Sequence, residues 1–140
     1  MTPDQNRLAV RRLVDEGFNR HNLRIFARDA INHDPSQPNL GRGPQGARES
    51  MHVYTTAFPD ATLIIEREIA EGDYVVQYLR ARGMHTGPLG NIPATGKKTN
   101  VTGVIISKFL DGKVVETWSL WDQLSLMQQL GVVPMSEVAA

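Results

Sequence analysis

The chain changes period at Ala61, from helical spacing before it to extended spacing after it, and that order restricts the fold more than any other feature of the sequence. "ATLIIEREIAE" and "YVVQYLRARGMHT" are rich in β-branched and aromatic residues and are parted by Gly72-Asp73. "TNVTGVIISKFL" runs through Asp111-Gly112 into "VVETWSLWDQL". Such dipeptides supply the positive φ of a tight hairpin, so four antiparallel strands are expected. Earlier in the chain, Thr2, Pro3 and Gln5 give a capping residue, a first-turn proline and a box partner. Val10, Leu13, Val14, Gly17 and Phe18 extend that helix to about Phe18. Asn22 would cap a second, shorter helix in "HNLRIFARDA", followed by a brief extended piece at Ile31 to His33 and a loop rich in Pro, Gly and Asn. A third helix is expected from about Ala47 to Phe58, stopped by Pro59, and a last short one in "SLMQQLG", ended by Gly131.

Helices first and strands afterwards is the α+β pattern. Four strands long and twisted enough to bury three helices predict a curved antiparallel sheet wrapped over the N-terminal helices, with an apolar cavity between its concave face and the helices. The length, residues 1–140, suits one domain. Fifteen basic residues balance fifteen acidic ones, so neither nucleic acid nor an anionic membrane is an expected partner. The chain has no cysteine, which removes disulfides, thiolate metal sites and cysteine nucleophiles. Asp4 and Arg7 interrupt the stretch a signal peptide would need, and a cytoplasmic location is expected.

Strand alternation nominates the cavity wall. Val75, Gln77, Leu79, Ala81, Gly83 and His85 share one face of the second long strand, and Arg80 and Arg82 mark the opposite face as the wetter one. In the last strand, Glu116, Trp118, Leu120 and Asp122 share a face opposite Thr117, Ser119 and Trp121. If the Trp118 face lines the cavity, Asp122 enters it too, provided no bulge intervenes. A carboxylate withdrawn from water beside an indole has its pKa raised, by as much as ~3 units when fully buried, and can act as a general acid or base. The competing reading makes Asp122 the cap of the helix that follows. His85 could donate to a substrate carbonyl or relay a proton, or be a structural strand-end histidine; His33 in "NHDP" could be a turn residue whose ring satisfies loop backbone, or reach the cavity. The four histidines have no metal-ligand spacing, and no phosphate-binding glycine loop or nucleophile elbow is present.

In order and spacing, "NHDP", "AFPDATLIIEREIAEGDYVV", "GMHTGPLGNIPATGKK" and "FLDGKVVETWSLWDQLSLMQQLG" resemble the SnoaL-like polyketide cyclase family, within the superfamily named after nuclear transport factor 2. The likeness runs from the first helix to Gly131. It implies a cone-shaped α+β barrel around a deep apolar cavity, a homodimer, and an apolar or aromatic small-molecule substrate. It also implies intramolecular aldol ring closure of a polyketide ester without metal or organic cofactor. Asp122 matches the family's acid/base aspartate, and His85, in its H-T-G motif, would bond a substrate oxygen. Trp118, Leu79, Ile105 and His33 are the expected substrate-contacting positions. Two alternatives stay open at this point: a family hydroxylase of an aromatic polyketide, and a small-molecule-binding domain without catalysis.

Overall fold

The computed structural model describes residues 2–12 and 23–134. Thr2 closes the expected capping box: Gln5 donates its backbone N–H to the Thr2 hydroxyl oxygen (3.1 Å), and Thr2 N–H donates to Gln5 Oε1 (2.8 Å). Helix α1 spans Pro3–Arg12, and the rest of the helix expected up to Phe18, like the cap proposed at Asn22, lies outside the described residues. The remaining order is β1 (Phe26–His33), α2 (Gly43–Ala57), β2 (Thr62–Glu71), β3 (Tyr74–Met84), β4 (Lys98–Leu110), β5 (Lys113–Trp121) and α3 (Gln123–Gln129).

Both tight turns form as read. Asp111 and Gly112 join β4 to β5 with φ of 50° and 79°, the double left-handed geometry of a two-residue hairpin. Helix α3 ends as expected too: Gly131 adopts φ 80°, Val132 N–H donates to Met127 O (3.1 Å), and Gly131 N–H donates to Gln128 O (3.0 Å).

The sheet is curved, open and five-stranded, with order β1-β5-β4-β3-β2. It is mixed rather than wholly antiparallel. Residues 26–33, read from sequence as the end of a short helix and a brief extended piece, form a full strand that joins the β5 edge in parallel. Free backbone groups along β5 offer that segment a ladder, and Phe26 and Ala30 bury themselves in the bargain-free way any edge strand does, by facing the core.

The interior falls into two apolar clusters. One gathers Leu23, Phe26, Ala30, Ala47, Val75, Phe109 and Val114. The other gathers Ala57, Phe58, Leu89, Val101, Leu126 and Leu130. Between them, the inner face of the sheet presents two cross-strand rows in which four of six side chains are polar: Val75, Ser107 and Thr117, then Gln77, Ile105 and Ser119. Short and polar side chains cannot fill the space that leucines would, and a cavity remains there.

Candidate functional site

That cavity encloses about 140 Å³ for water-sized molecules, within an empty space of about 1210 Å³ that opens to solvent. Phe26, Ala47 and Met51 wall one end, and Phe58, Val101, Trp121 and Leu126 wall the other. Helix α2 supplies Ala47, Met51 and Tyr54 from one stripe, as its spacing predicts. Asn32, Gln77, Ser107, Thr117 and Ser119 form a polar floor on β1, β3, β4 and β5.

Alternation along β3 holds: Val75, Gln77 and Leu79 are buried, while Tyr74 and Tyr78 are exposed on the outer face. Along β5 it fails. A bulge opposite Lys108 and Phe109 pairs Phe109 with Val114 but Lys108 with Glu116, so one residue is used up and every later side chain changes face. Thr117, Ser119 and Trp121 therefore line the cavity, and Trp118 does not. Trp118 lies on the outer face, stacked on His33 with ring centroids 5.4 Å apart. Leu120 there is exposed.

Asp122 reaches the cavity rim despite the bulge, because the strand ends at Trp121 and the chain turns into α3. It is exposed, not desolvated as the sequence suggested, and its Oδ1 caps α3 by accepting Ser125 N–H (3.0 Å). The helix-cap reading of this residue holds for one oxygen, and among the described residues Oδ2 has no protein partner. Asp34 is the other carboxylate of the lining, and both of its oxygens are engaged. Its Oδ1 accepts from Ser36 N–H (2.9 Å) and Ser36 Oγ–H (2.6 Å), and its Oδ2 from Gln37 Nε2 (3.4 Å). Beside Asp122, Gln123 Nε2 donates to Tyr54 Oη (2.6 Å), tying the start of α3 to α2 across the cavity mouth.

The other expected contacts sort as follows. Ile105 lines the cavity. Leu79 is fully buried on the inner face but does not line it; its row neighbour Gly103 lies under the Trp121 indole. His33 is a lining position, yet its ring turns to the outer face, where Nε2 pairs with Glu116 Oε2 (2.6 Å). His85 is fully buried and does not line this cavity. The strand ends just before it, so its ring packs against Phe58 while Nδ1 takes the backbone N–H of Thr95 (3.1 Å) and lies 2.9 Å from the Thr95 hydroxyl. The histidine of H-T-G and the threonine of I-P-x-T-G are thus partners that pin the loop from Thr86 to Lys97. Gln77 and Ser107, which sequence reasoning left without a role, sit on the floor; their parity with Leu79 and Ile105 was the available signal.

Gln77 is held from behind. Its Nε2 donates to Glu68 Oε2 (2.9 Å), and the buried Glu68 carboxylate faces Arg11 Nε (3.0 Å) and Arg7 Nε (3.7 Å) of α1. Among the described residues no group of three or more His, Asp or Glu side chains is placed to hold a metal ion, and no helix is long and apolar enough to cross a membrane.

Comparison with known proteins agrees with this architecture. A model of the SnoaL-like polyketide cyclase family matches residues 8–130. The aklanonic acid methyl ester cyclase DnrD of Streptomyces peucetius is 29% identical over 103 residues, covering 73% of this chain and 68% of that protein. Among solved structures, the candidate polyketide cyclase IdmH of Streptomyces antibioticus superposes with a TM-score of 0.77 at 28% identity, covering 91% of this chain and 99% of that one. AclR of Streptomyces galilaeus, a candidate hydroxylase, superposes with a TM-score of 0.84 over 98% of this chain and 87% of its own, and at 21% identity it speaks for the fold alone.

Proposed function

The chain belongs to the SnoaL-like polyketide cyclase family, and on that premise we propose that it closes a ring in an aromatic polyketide ester by an intramolecular aldol reaction, with Asp122 as general acid and base. The observation that carries this reading is the Asp122 carboxylate at the rim of a deep, largely apolar cavity, with one oxygen fixed by the α3 cap and the other left for a substrate. A carboxylate aimed by a helix N-terminus keeps its orientation without a dedicated partner.

In this reading the apolar body of the substrate enters between Phe58, Trp121 and Met51, and its reactive edge stays at the mouth. Asp122 Oδ2 removes a proton from carbon flanked by two carbonyls. The resulting enolate carbon attacks a carbonyl of the same molecule, forming the new C–C bond, and the proton returns from Asp122 to the new alkoxide. The enolate charge spreads through the conjugated substrate, so the protein has only to position it and limit access of water. His85 has no part in these steps and acts on the loop. The resemblance between the chain and the cyclases also motivates a homodimer. Ile69, Tyr74, Tyr78 and Leu120 are exposed on the outer sheet face, which a second copy would cover; Leu120→Lys should then shift the protein to monomer in sedimentation.

The test is mass spectrometry of aerobic and anaerobic incubations with polyketide methyl esters. A product of unchanged mass, or one lacking only water, formed without oxygen supports cyclisation. A product that gains one oxygen atom, in air alone, would replace it with hydroxylation.

A further inference from the structure

Among the described residues, the cavity floor contains one fully buried hydroxyl that the fold leaves without a hydrogen-bond partner. Ser107 is 1% exposed, lines the cavity, and has no partner for its hydroxyl. Thr117, Asn32 and Gln77 around it are engaged. Thr117, paired with it across the sheet, donates to Asn32 Oδ1 (3.1 Å); Asn32 Nδ2 faces the carbonyl oxygens of Gly41 and Gly43 (both 3.4 Å); Gln77 donates to Glu68. Buried polar groups are nearly always satisfied, and one left open toward a ligand-sized space points to what enters that space. An alanine would fit the same place without the unmet bond, so the fold by itself gives no reason for serine.

Position along the sheet says which part of a ligand meets it. Ser107 pairs with Thr117, and Asp122, just past the end of β5, lies five residues further along the chain, about 16 Å at ~3.3 Å per residue. β4 gives the same spacing, because Asp122 N–H donates to Thr102 O (3.0 Å), five residues from Ser107. Apolar groups, among them Ile105, Trp121 and Met51, line the cavity that runs between these two ends.

We propose that Ser107 is the anchor for a terminal oxygen substituent, a phenol or ketone, on the ring of the substrate farthest from Asp122. The inference rests on the polyketide reading above and adds to it a direction and a length: the preferred substrate is an elongated fused-ring molecule with oxygen functions at both ends, and compact one-ring substrates cannot reach both groups. Ser107 is a positioning residue, and the bond it makes decides which end of the molecule is presented at the mouth.

The experiment compares binding of β-hydroxyanthraquinone with that of anthraquinone by equilibrium dialysis, for the wild type and Ser107→Ala, alongside the thermal midpoint of both proteins. The wild type should prefer the hydroxylated ring system by roughly tenfold, the yield of one well-made neutral hydrogen bond. Ser107→Ala should erase that preference while its midpoint stays equal or rises. A variant that keeps the preference overturns the anchor and leaves the polyketide reading standing. A lowered midpoint, with both compounds weakened equally, assigns the hydroxyl to the fold and also overturns the anchor. Binding of neither compound to the wild type overturns the aromatic-substrate reading, and the anchor with it.

Discussion

Gly103 is the position where one methyl group should disturb the site most. It is buried in the row formed with Leu79 and Trp121, and a Cβ there would meet Trp121 Cε3 at 2.4 Å, Trp121 Cδ2 at 2.5 Å and Leu120 O at 2.9 Å. Contacts that short require movement. The carbonyl belongs to a paired strand and is fixed, so the indole must give way, and the side open to it is the cavity. Overpacking of this kind costs about 1–3 kcal/mol, partly offset by the ~0.4–1 kcal/mol that alanine gains over glycine through the unfolded chain. The net loss for Gly103→Ala is about 1–2 kcal/mol, or a thermal midpoint lower by roughly 5 °C in a chain of this size. Because the displaced ring enters the ligand's space, affinity for any cavity ligand should fall more steeply than stability does. Differential scanning fluorimetry and a ligand titration, done with Trp118→Phe as background so that Trp121 alone reports, would measure both. An unchanged midpoint with unchanged affinity would refute the placement of Trp121 over Gly103, and with it the parity assigned to β5 beyond the bulge.

Gly112→Ala, at φ 79° in the β4–β5 turn, should destabilise by roughly 1–2 kcal/mol in urea unfolding, whereas a surface glycine of ordinary φ would not. Removing the carboxylate behind the floor, by Glu68→Ala, leaves Gln77 Nε2 buried without its acceptor and should cost about 1–3 kcal/mol in the same assay. The hydrogen bond from Arg80 holds the Glu66 carboxyl below its ordinary range. A depressed carboxylate contributes stability above its ordinary pKa and loses it as the pH falls through the folded value. The stability difference between wild type and Glu66→Gln should therefore be present at neutral pH and be lost as the pH falls through the depressed folded value, and it should be small, since the pair is exposed to solvent screening.

What could be read in the sequence was what local chemistry decides. The capping box at Thr2, the Asp111-Gly112 turn, the Gly131 helix end and the inner face of β3 each depend on a few adjacent residues, and each is found as read. Two misreadings have one origin, pairing with distant chain. "RIFARDA" carries arginine and alanine, good helix formers, yet the free edge of β5 draws residues 26–33 into a strand. The bulge opposite Lys108 and Phe109 has no glycine or proline to announce it, and it moved Trp118 outward and Trp121 inward. His85 was legible as important but not in its role, because its partner Thr95 stands ten residues away across a loop whose shape the sequence does not state. Ser107 was hidden for a different reason: an unmet hydrogen bond is a property of the folded neighbourhood and has no sequence signature.

The central claim is that Asp122 moves the proton, and the most direct measurement is exchange of the acidic carbon-bound hydrogens of a β-dicarbonyl polyketide ester with deuterated water, followed by NMR with wild type, Asp122→Asn and Asp122→Ala. Asparagine caps a helix about as well as aspartate, so Asp122→Asn should keep the wild-type thermal midpoint, while Asp122→Ala should lose about 1 kcal/mol of stability. The account predicts catalysed exchange in the wild type alone, reduced by at least ~100-fold in both variants. Exchange retained by Asp122→Asn would leave the residue as a helix cap and nothing more, and would contradict the account.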